Sequence, residues 1–266
     1  MPKLALAVEY VGTKFHGSQL QLKQRTVQSE IESALKVLFK KDIRVVFSGR
    51  TDAGVHASNQ VAHIVVDEEF IDVTKLPWSL NGIMGKDVAV KEIQYVDDSF
   101  HARYSAESRT YVYKILNRPQ RSPLLKETHY FIREPLNLKA MSRGASRLLG
   151  RHDFAAFRSS NADQSSTICN VSRCEILNLG EGQLEFWIVA DHFVYNMVRI
   201  IVGTLVEIGL EKRTPASLSE ALQLKRRDLT GPTAPPRGLT LNSVKYPAKF
   251  GLFRTNFEYV NGRSNP

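Results

Sequence analysis

Asp52 lies in the stretch SGRTDAGVHA, residues 48–57, between Gly49 and Gly54, with Arg50 and His56 close by. An isolated carboxylate in a glycine-flanked turn can simply cap a loop, or it can act on something that approaches the backbone closely. The Gly49-x4-Gly54 spacing is that of a phosphate-cradling loop, but Val55-His56 occupies the place of the Lys-[Ser/Thr] pair that grips phosphate and magnesium. An aspartic protease needs Asp-[Thr/Ser]-Gly twice, because two carboxylates share one proton. Here the order is Thr51-Asp52-Ala53, and it occurs once.

Two further places carry chemical potential. Arg199 interrupts the apolar run FVYNMVRIIVGTLVEIGL, and a buried arginine is tolerated only when paired and hydrogen-bonded. Taken alone, it can snorkel to the surface or pair with Glu207 two turns on. Asn196, three residues before it, and Gly203, four after, give one helix face that is polar and then small, suited to lining a site. In ESRTYVYKIL, strand alternation puts Arg109, Tyr111 and Tyr113 on one face, a surface that can stack bases or simply pack.

The elements that must position these groups follow from periodicity. Residues 3–10 read as a core strand and GTKFHG as a loop. Val27, Ile31, Ala34, Leu35 and Leu38 form a helical stripe behind Thr26 as N-cap. Strands are predicted at 43–47 and 61–66, joined by the Asp52 loop, then a helical segment over 78–84 and a strand over 88–96. After Ser105 the rhythm returns: a strand in RTYVYKIL, a helix at 138–149, strands at 168–177 and 184–190 turned by Gly180-Glu181-Gly182, helices at 195–210 and 218–224, and a strand at 239–246. The expected class is α+β: two ferredoxin-like βαββαβ halves, 1–104 and 105–266, with antiparallel sheets packed side by side and a catalytic cleft between them.

Composition narrows the partner. The 266 residues carry 36 basic and 27 acidic side chains, a net charge of +9 that favours a polyanion. Cys169 and Cys174 form a lone C-x4-C without a second pair, and the seven histidines lack metal-ligand spacing, so no metal site is expected. Reduced thiols fit an intracellular compartment. Leu4 to Val8 is too short for a secretory segment and Met197 to Leu210 too short for a bilayer span, so a soluble, cytoplasmic protein without membrane contact is expected, or an organellar one in a eukaryote.

GRTDAGVHA resembles the signature of the bacterial-type tRNA pseudouridine synthase A family. LAVEYVGTKFHG, TVQSEIESAL, FHARYSAESRTYVYKI, HDFAAFR and FVYNMVRIIVG resemble further blocks of that family in order along nearly the whole chain. Ser18, where relatives often carry an aromatic, Asn81 to Gly85 without the familiar Leu-Pro, and the segment Ala234 to Leu239 depart from the usual pattern.

The resemblance implies isomerisation of uridine to pseudouridine in tRNA, at positions 38 to 40 of the anticodon stem-loop, by a homodimer that uses no cofactor or small-molecule partner. It implies Asp52 as nucleophile toward C6 of uracil or C1′ of ribose, and Arg199 as its ion-pair partner. Tyr111 is implied as the ring that stacks on the uracil and a candidate base for the C5 proton, and Arg50 as the residue that helps hold the nucleotide out of its stack. Arg25, Arg109, Arg118 and Arg121 are candidates for phosphate contact from their flanking positions. Two alternatives are an RNA-binding chaperone that kept the fold without the reaction, and a related synthase acting on organellar or messenger RNA.

Overall fold

The computed structural model describes residues 1–67, 71–159 and 166–253. Two compact units are formed. The first contains Met1–Thr51, Ala57–Glu107 and the chain from Val244; the second contains Asp52–His56 and Ser108–Ser243. Relative to halves of 1–104 and 105–266, the boundary falls after Glu107, and two further segments lie with the other unit, each through local contacts. The chain from Val244 joins the first unit because Glu107 N–H donates to Lys245 O and Tyr246 Oη to Ala102 O, while the Phe100 ring packs on Tyr246 and Phe250. Asp52–His56 joins the second because Val55 is part of its apolar core and Asp52 meets Arg199.

In the first unit, β1 (Lys3–Tyr10), α1 (Val27–Phe39), β2 (Val46–Phe47), β3 (His56–Val65), α2 (Leu76–Ile83) and β4 (Val88–Val96) follow the order βαββαβ. The strands lie β4-β1-β3-β2, each pair antiparallel. LALAV of β1 is a continuous apolar run because that strand has a neighbour on each side and is buried from Leu4 to Val8. Thr26 starts α1 with a capping box: its side chain accepts from Ser29 N–H, and Ser29 Oγ accepts from Thr26 N–H. Such a cap contributes about 1 kcal/mol.

The expected strand over 43–47 shrinks to two residues. Glu32 Oε1 accepts Val45 N–H and Gln28 Nε2 donates to Val45 O, so α1 takes the backbone groups a longer ladder would use. Conversely, β3 begins at His56 rather than 61, because Ala57 and Gln60 pair with Tyr10 and Val8 of β1.

The second unit contains β5 (Ser108–Asn117), β6 (Tyr130–Ile132), α3 (Leu138–Ala145), β7 (Gly150–Asp153), β8 (Ile168–Gly180), β9 (Gln183–Ala190), α4 (Met197–Gly209), α5 (Ala216–Leu224) and β10 (Leu239–Lys245). Strand order is β10-β5-β9-β8-β7, with β6 parallel to β5. Without the short β6 and β7 and the added α5, this is again βαββαβ in the same spatial order as the first unit, so the α+β reading with two ferredoxin-like repeats describes the architecture of each unit. The β8–β9 hairpin turns through Gly180, Glu181 and Gly182, all with positive φ, which is why glycines bracket it. In α4, buried residues run from Met197 through Gly209 with only Arg199 and Glu207 less than fully covered, so apolar burial holds it to the sheet. Among the described residues no helix is long and apolar enough to cross a membrane.

Candidate active site

The backbone before Asp52 is fixed by a buried polar network in the first unit. Thr51 N–H donates to Ser18 Oγ at 2.9 Å, and Ser18 N–H returns the bond to Thr51 O at 3.0 Å. Tyr10 Oη and Thr51 Oγ1 are hydrogen-bonded at 2.8 Å, Ser48 Oγ donates to Gln60 Oε1, and Gln60 Nε2 donates to Gly49 O at 3.1 Å. Burial pushes the Tyr10 phenol up to about 12, with the hydrogen bonds to Thr51 and Gln60 pulling the other way. Residues 48–51 are therefore held by side-chain bonds from Ser18, Tyr10 and Gln60 together with main-chain bonds from Ser48 N–H to Val61 O and from Ser18 N–H to Thr51 O. Arg50 is exposed within this otherwise clamped segment.

In the second unit, Asp52 meets the arginine expected for it. Arg199 Nη1 lies 3.3 Å from Asp52 Oδ2, and the two side chains retain only 16% and 23% of their surface. Arg199 is further held by Asn196 Oδ1, at 2.8 Å from Nη1, and by Ala234 O, at 2.8 Å from Nε. Glu207, the alternative partner on the same helix, pairs instead with Arg213. Burial raises the Asp52 carboxyl above the ordinary carboxylate value, while the charge and hydrogen bond of Arg199 pull it back in part. A partly desolvated carboxylate with one guanidinium on it is suited to nucleophilic attack, because little water competes for its lone pairs.

Gly54 (φ +80°) closes the loop in the left-handed region, and a Cβ there would also press on Pro236 at 2.9 Å. His56 Nε2 donates to Arg237 O at 3.0 Å, and burial lowers its pKa, so the imidazole is neutral at pH 7. Tyr111 of β5 is half-buried and meets the Phe193 ring edge-on, with centroids 5.1 Å apart. Tyr113, two residues on and on the same face, is fully buried and donates from Oη to Pro235 O at 2.8 Å, so it belongs to the core rather than to a stacking surface. Gly203, read as lining the site together with Asn196, instead lets Pro232 approach α4: a side chain there would overlap the Pro232 carbonyl.

The arginines placed at the RNA by flanking position differ among themselves. Arg25 is tied to Glu30 at 3.0 Å and Asp87 at 2.9 Å and stacks over Phe15 at 4.3 Å, so its charge is already met. Arg109 donates to Asp191 O at 2.7 Å and Arg118 to Gln120 O at 2.9 Å, both backbone acceptors. Arg121 is exposed.

Cys169 and Cys174 are buried free thiols, pushed well up by desolvation and unsuited to redox or nucleophilic work. The fold also gathers Cys169, Asp191 and His192, which sequence spacing did not announce. Asp191 Oδ1 accepts the N–H groups of Asn170 and His192 and lies 3.0 Å from His192 Nδ1, so this carboxylate is organised as a turn. Sequence reasoning missed Ser18, Tyr10 and Gln60 as the clamp on residues 48–51. The buried Gln60 amid the apolar strand QVAHIV was the available signal.

A family model described as tRNA pseudouridine synthase matches residues 6–105 and 145–247, which include Asp52 and Arg199 and leave Tyr111 in the unmatched interval. The tRNA pseudouridine synthase A of Thermoanaerobacter sp. (strain X514) is 41% identical over 92% of this chain and 100% of its own length. That of Dechloromonas aromatica (strain RCB) is 40% identical over 98% of each chain. Matched from β1 to β10 and by relatives of its own length, the chain belongs to the tRNA pseudouridine synthase family.

Proposed function

We propose that this protein converts uridine to pseudouridine in tRNA, at positions 38 to 40 of the anticodon stem-loop, with Asp52 as nucleophile. The observation that supports it most is the Asp52–Arg199 pair, which supplies a desolvated carboxylate where the family match lies. In the reaction, the N1–C1′ bond breaks, the uracil turns, a C5–C1′ bond forms, C5 loses its proton and N1 ends protonated. Atoms and charge balance within the substrate, so no oxidant or co-substrate enters. Asp52 bonds covalently to C6 of uracil or C1′ of ribose, and that bond breaks again once C5 has joined C1′ in the first case or as C5 joins C1′ in the second, returning the free carboxylate. Tyr111 is the candidate acceptor of the C5 proton and Arg50 holds the flipped nucleotide, since a base inside a helix cannot be reached. A homodimer binding one tRNA across both subunits is the assembly we favour.

The test is to incubate the purified protein with unmodified tRNA transcripts and map pseudouridine chemically. Product confined to positions 38 to 40 supports the proposal. Product at other positions or only in other RNA classes overturns the assignment of site, and binding without any product assigns an RNA-binding role instead.

Phosphate contacts make binding salt-dependent, with log K falling by roughly 0.7–0.9 per phosphate neutralised. Arg121→Ala is expected to lower that slope by about one phosphate. Arg25→Ala is expected to leave the slope unchanged, because Glu30 and Asp87 already neutralise Arg25. Salt titrations of tRNA binding for the two variants check this, and equal loss of slope would place Arg25 on a phosphate.

A further inference from the structure

The segment Thr230-Gly231-Pro232-Thr233-Ala234-Pro235-Pro236-Arg237-Gly238 runs from the region after α5 into β10 and touches the elements that build the Asp52–Arg199 pair. On α4 it is fastened at two points. Gly231 N–H donates to Thr204 Oγ1 at 2.8 Å, and the Cα of Gly231 sits so close to Gly203 and Thr204 that a Cβ would come within 2.8 Å of their backbone. Thr204 is fully buried, and its hydroxyl proton goes to Ile200 O at 2.8 Å, which leaves its lone pair for Gly231. One turn earlier, Ala234 N–H donates to Arg199 O at 3.0 Å, while Ala234 O accepts from Arg199 Nε at 2.8 Å.

The remaining contacts reach the other elements. Pro235 O accepts from Tyr113 Oη of β5, Pro236 lies against Gly54, and Arg237 O accepts from His56 Nε2. At the start of the segment, Arg227 donates to Gly231 O at 2.9 Å and to the hydroxyl of Thr230. Both the backbone and the side chain of Arg199 are thus referenced to Ala234.

We propose that this strap is the positioning device for the catalytic ion pair, with Thr204 and Tyr113 as the positioning residues that fix Ala234 and hence the plane of the Arg199 guanidinium. The proposal rests on the reading of Asp52 as nucleophile. A guanidinium is rigid and planar, so the acceptor on Nε fixes the direction of Nη1. Nη1 is shared between Asn196 at 2.8 Å and Asp52 at 3.3 Å, and the longer bond is near the limit of useful geometry. A displacement of Ala234 by a few tenths of an ångström therefore breaks the bond to Asp52 first. Prolines at 232, 235 and 236 restrict the strap's backbone, so it holds its shape between the fastening points.

Thr204→Val keeps the side-chain shape and removes the acceptor for Gly231 N–H, and Tyr113→Phe removes only the hydroxyl that reaches Pro235. Single-turnover isomerisation at neutral pH is expected to fall roughly tenfold in each, with tRNA dissociation constants within about twofold of wild type. The diagnostic readout is the acid limb of the single-turnover pH profile, which reports ionisation of Asp52. It should move to higher pH in both variants, because a misplaced Arg199 stabilises the carboxylate less. Thr204→Ser, which retains the hydroxyl, should restore both rate and limb.

Asp52 is acted on by Arg199 of α4; around the strap, the Tyr113 phenol faces Arg199, Arg237 and Tyr130, and His56 faces Lys114 and Glu127, with burial raising the Tyr113 phenol and lowering the His56 imidazole. Wild-type rates with an unmoved limb in Tyr113→Phe and Thr204→Val overturn the proposal, as does a loss of rate with no movement of the limb. If Thr204→Val does not fold, Tyr113→Phe decides alone. Full turnover by Asp52→Asn overturns the underlying reading instead, while an inactive Asp52→Asn with unaffected strap variants overturns only the strap.

Discussion

Asp52→Asn is expected to bind tRNA with wild-type affinity and to lose isomerisation by on the order of 10⁴-fold or more, the scale seen when a covalent nucleophile is removed. The amide matches the carboxylate in shape, and its oxygen can still accept from Arg199 Nη1, so the loop clamped by Ser18, Tyr10 and Gln60 has no reason to move. What is lost is the negative charge and the lone pair that forms the covalent bond. Single-turnover product formation with enzyme in excess, alongside a binding isotherm, separates the two effects. Measurable turnover that survives correction for deamidation would remove Asp52 from the chemistry.

Arg199→Ala is the second large effect, with a rate loss of about 10²–10³-fold at pH 7. Burial already raises the Asp52 carboxyl, and Arg199 is what opposes that rise. With Arg199 gone, the carboxyl titrates higher still. The reaction needs the ionised form, so the rate must fall as pH drops through the raised value, and the acid limb of the variant must lie above that of wild type. Raising the pH should therefore recover part of the lost rate in Arg199→Ala and none in Asp52→Asn. Arg199→Lys retains a charge but has no Nε for Ala234 O, so it should bring back part of the limb shift and little of the rate.

The variant also leaves Asp52 in a mostly covered site without a cation. Breaking a fully buried pair costs about 3–5 kcal/mol, and the residual exposure of both side chains puts this one toward or below the lower end. Denaturant melts at neutral pH measure that cost. A pH–rate profile of Arg199→Ala that overlays wild type would make Arg199 a phosphate or structural arginine instead.

Much of each unit was legible along the chain. The apolar run of β1, the stripe of α1 behind Thr26 and the Gly180-Glu181-Gly182 turn are set by side-chain periodicity, capping and the sterics of positive φ, all decided within a few residues. Boundaries failed where a long-range partner intervened. Residues 43–45 lost their strand to the side chains of Gln28 and Glu32, and β3 gained 56–60 because β1 offered a free edge there. β6 and β7, of three and four residues, are too short for periodicity to register and exist only because β5 and β8 present edges to them.

By itself the sequence determined the inventory of the site: one carboxylate in a glycine-bracketed loop, one arginine in an apolar helix, a tyrosine on a strand, and a family resemblance that joined them. The resemblance implied that Arg199 pairs with Asp52, 147 residues away, while the residues alone left Glu207, two turns along its own helix, open; the tertiary structure brings Arg199 to Asp52 and gives Glu207 to Arg213. It also decided that Tyr113 serves the core while Tyr111 remains half-open, and that Gly203 is small to admit Pro232 rather than a ligand. The physical reason is that helix and strand patterns are fixed by short-range sterics and spacing, whereas the partner of a buried charge is fixed by whichever opposite charge chain closure brings within hydrogen-bond reach and shields from water.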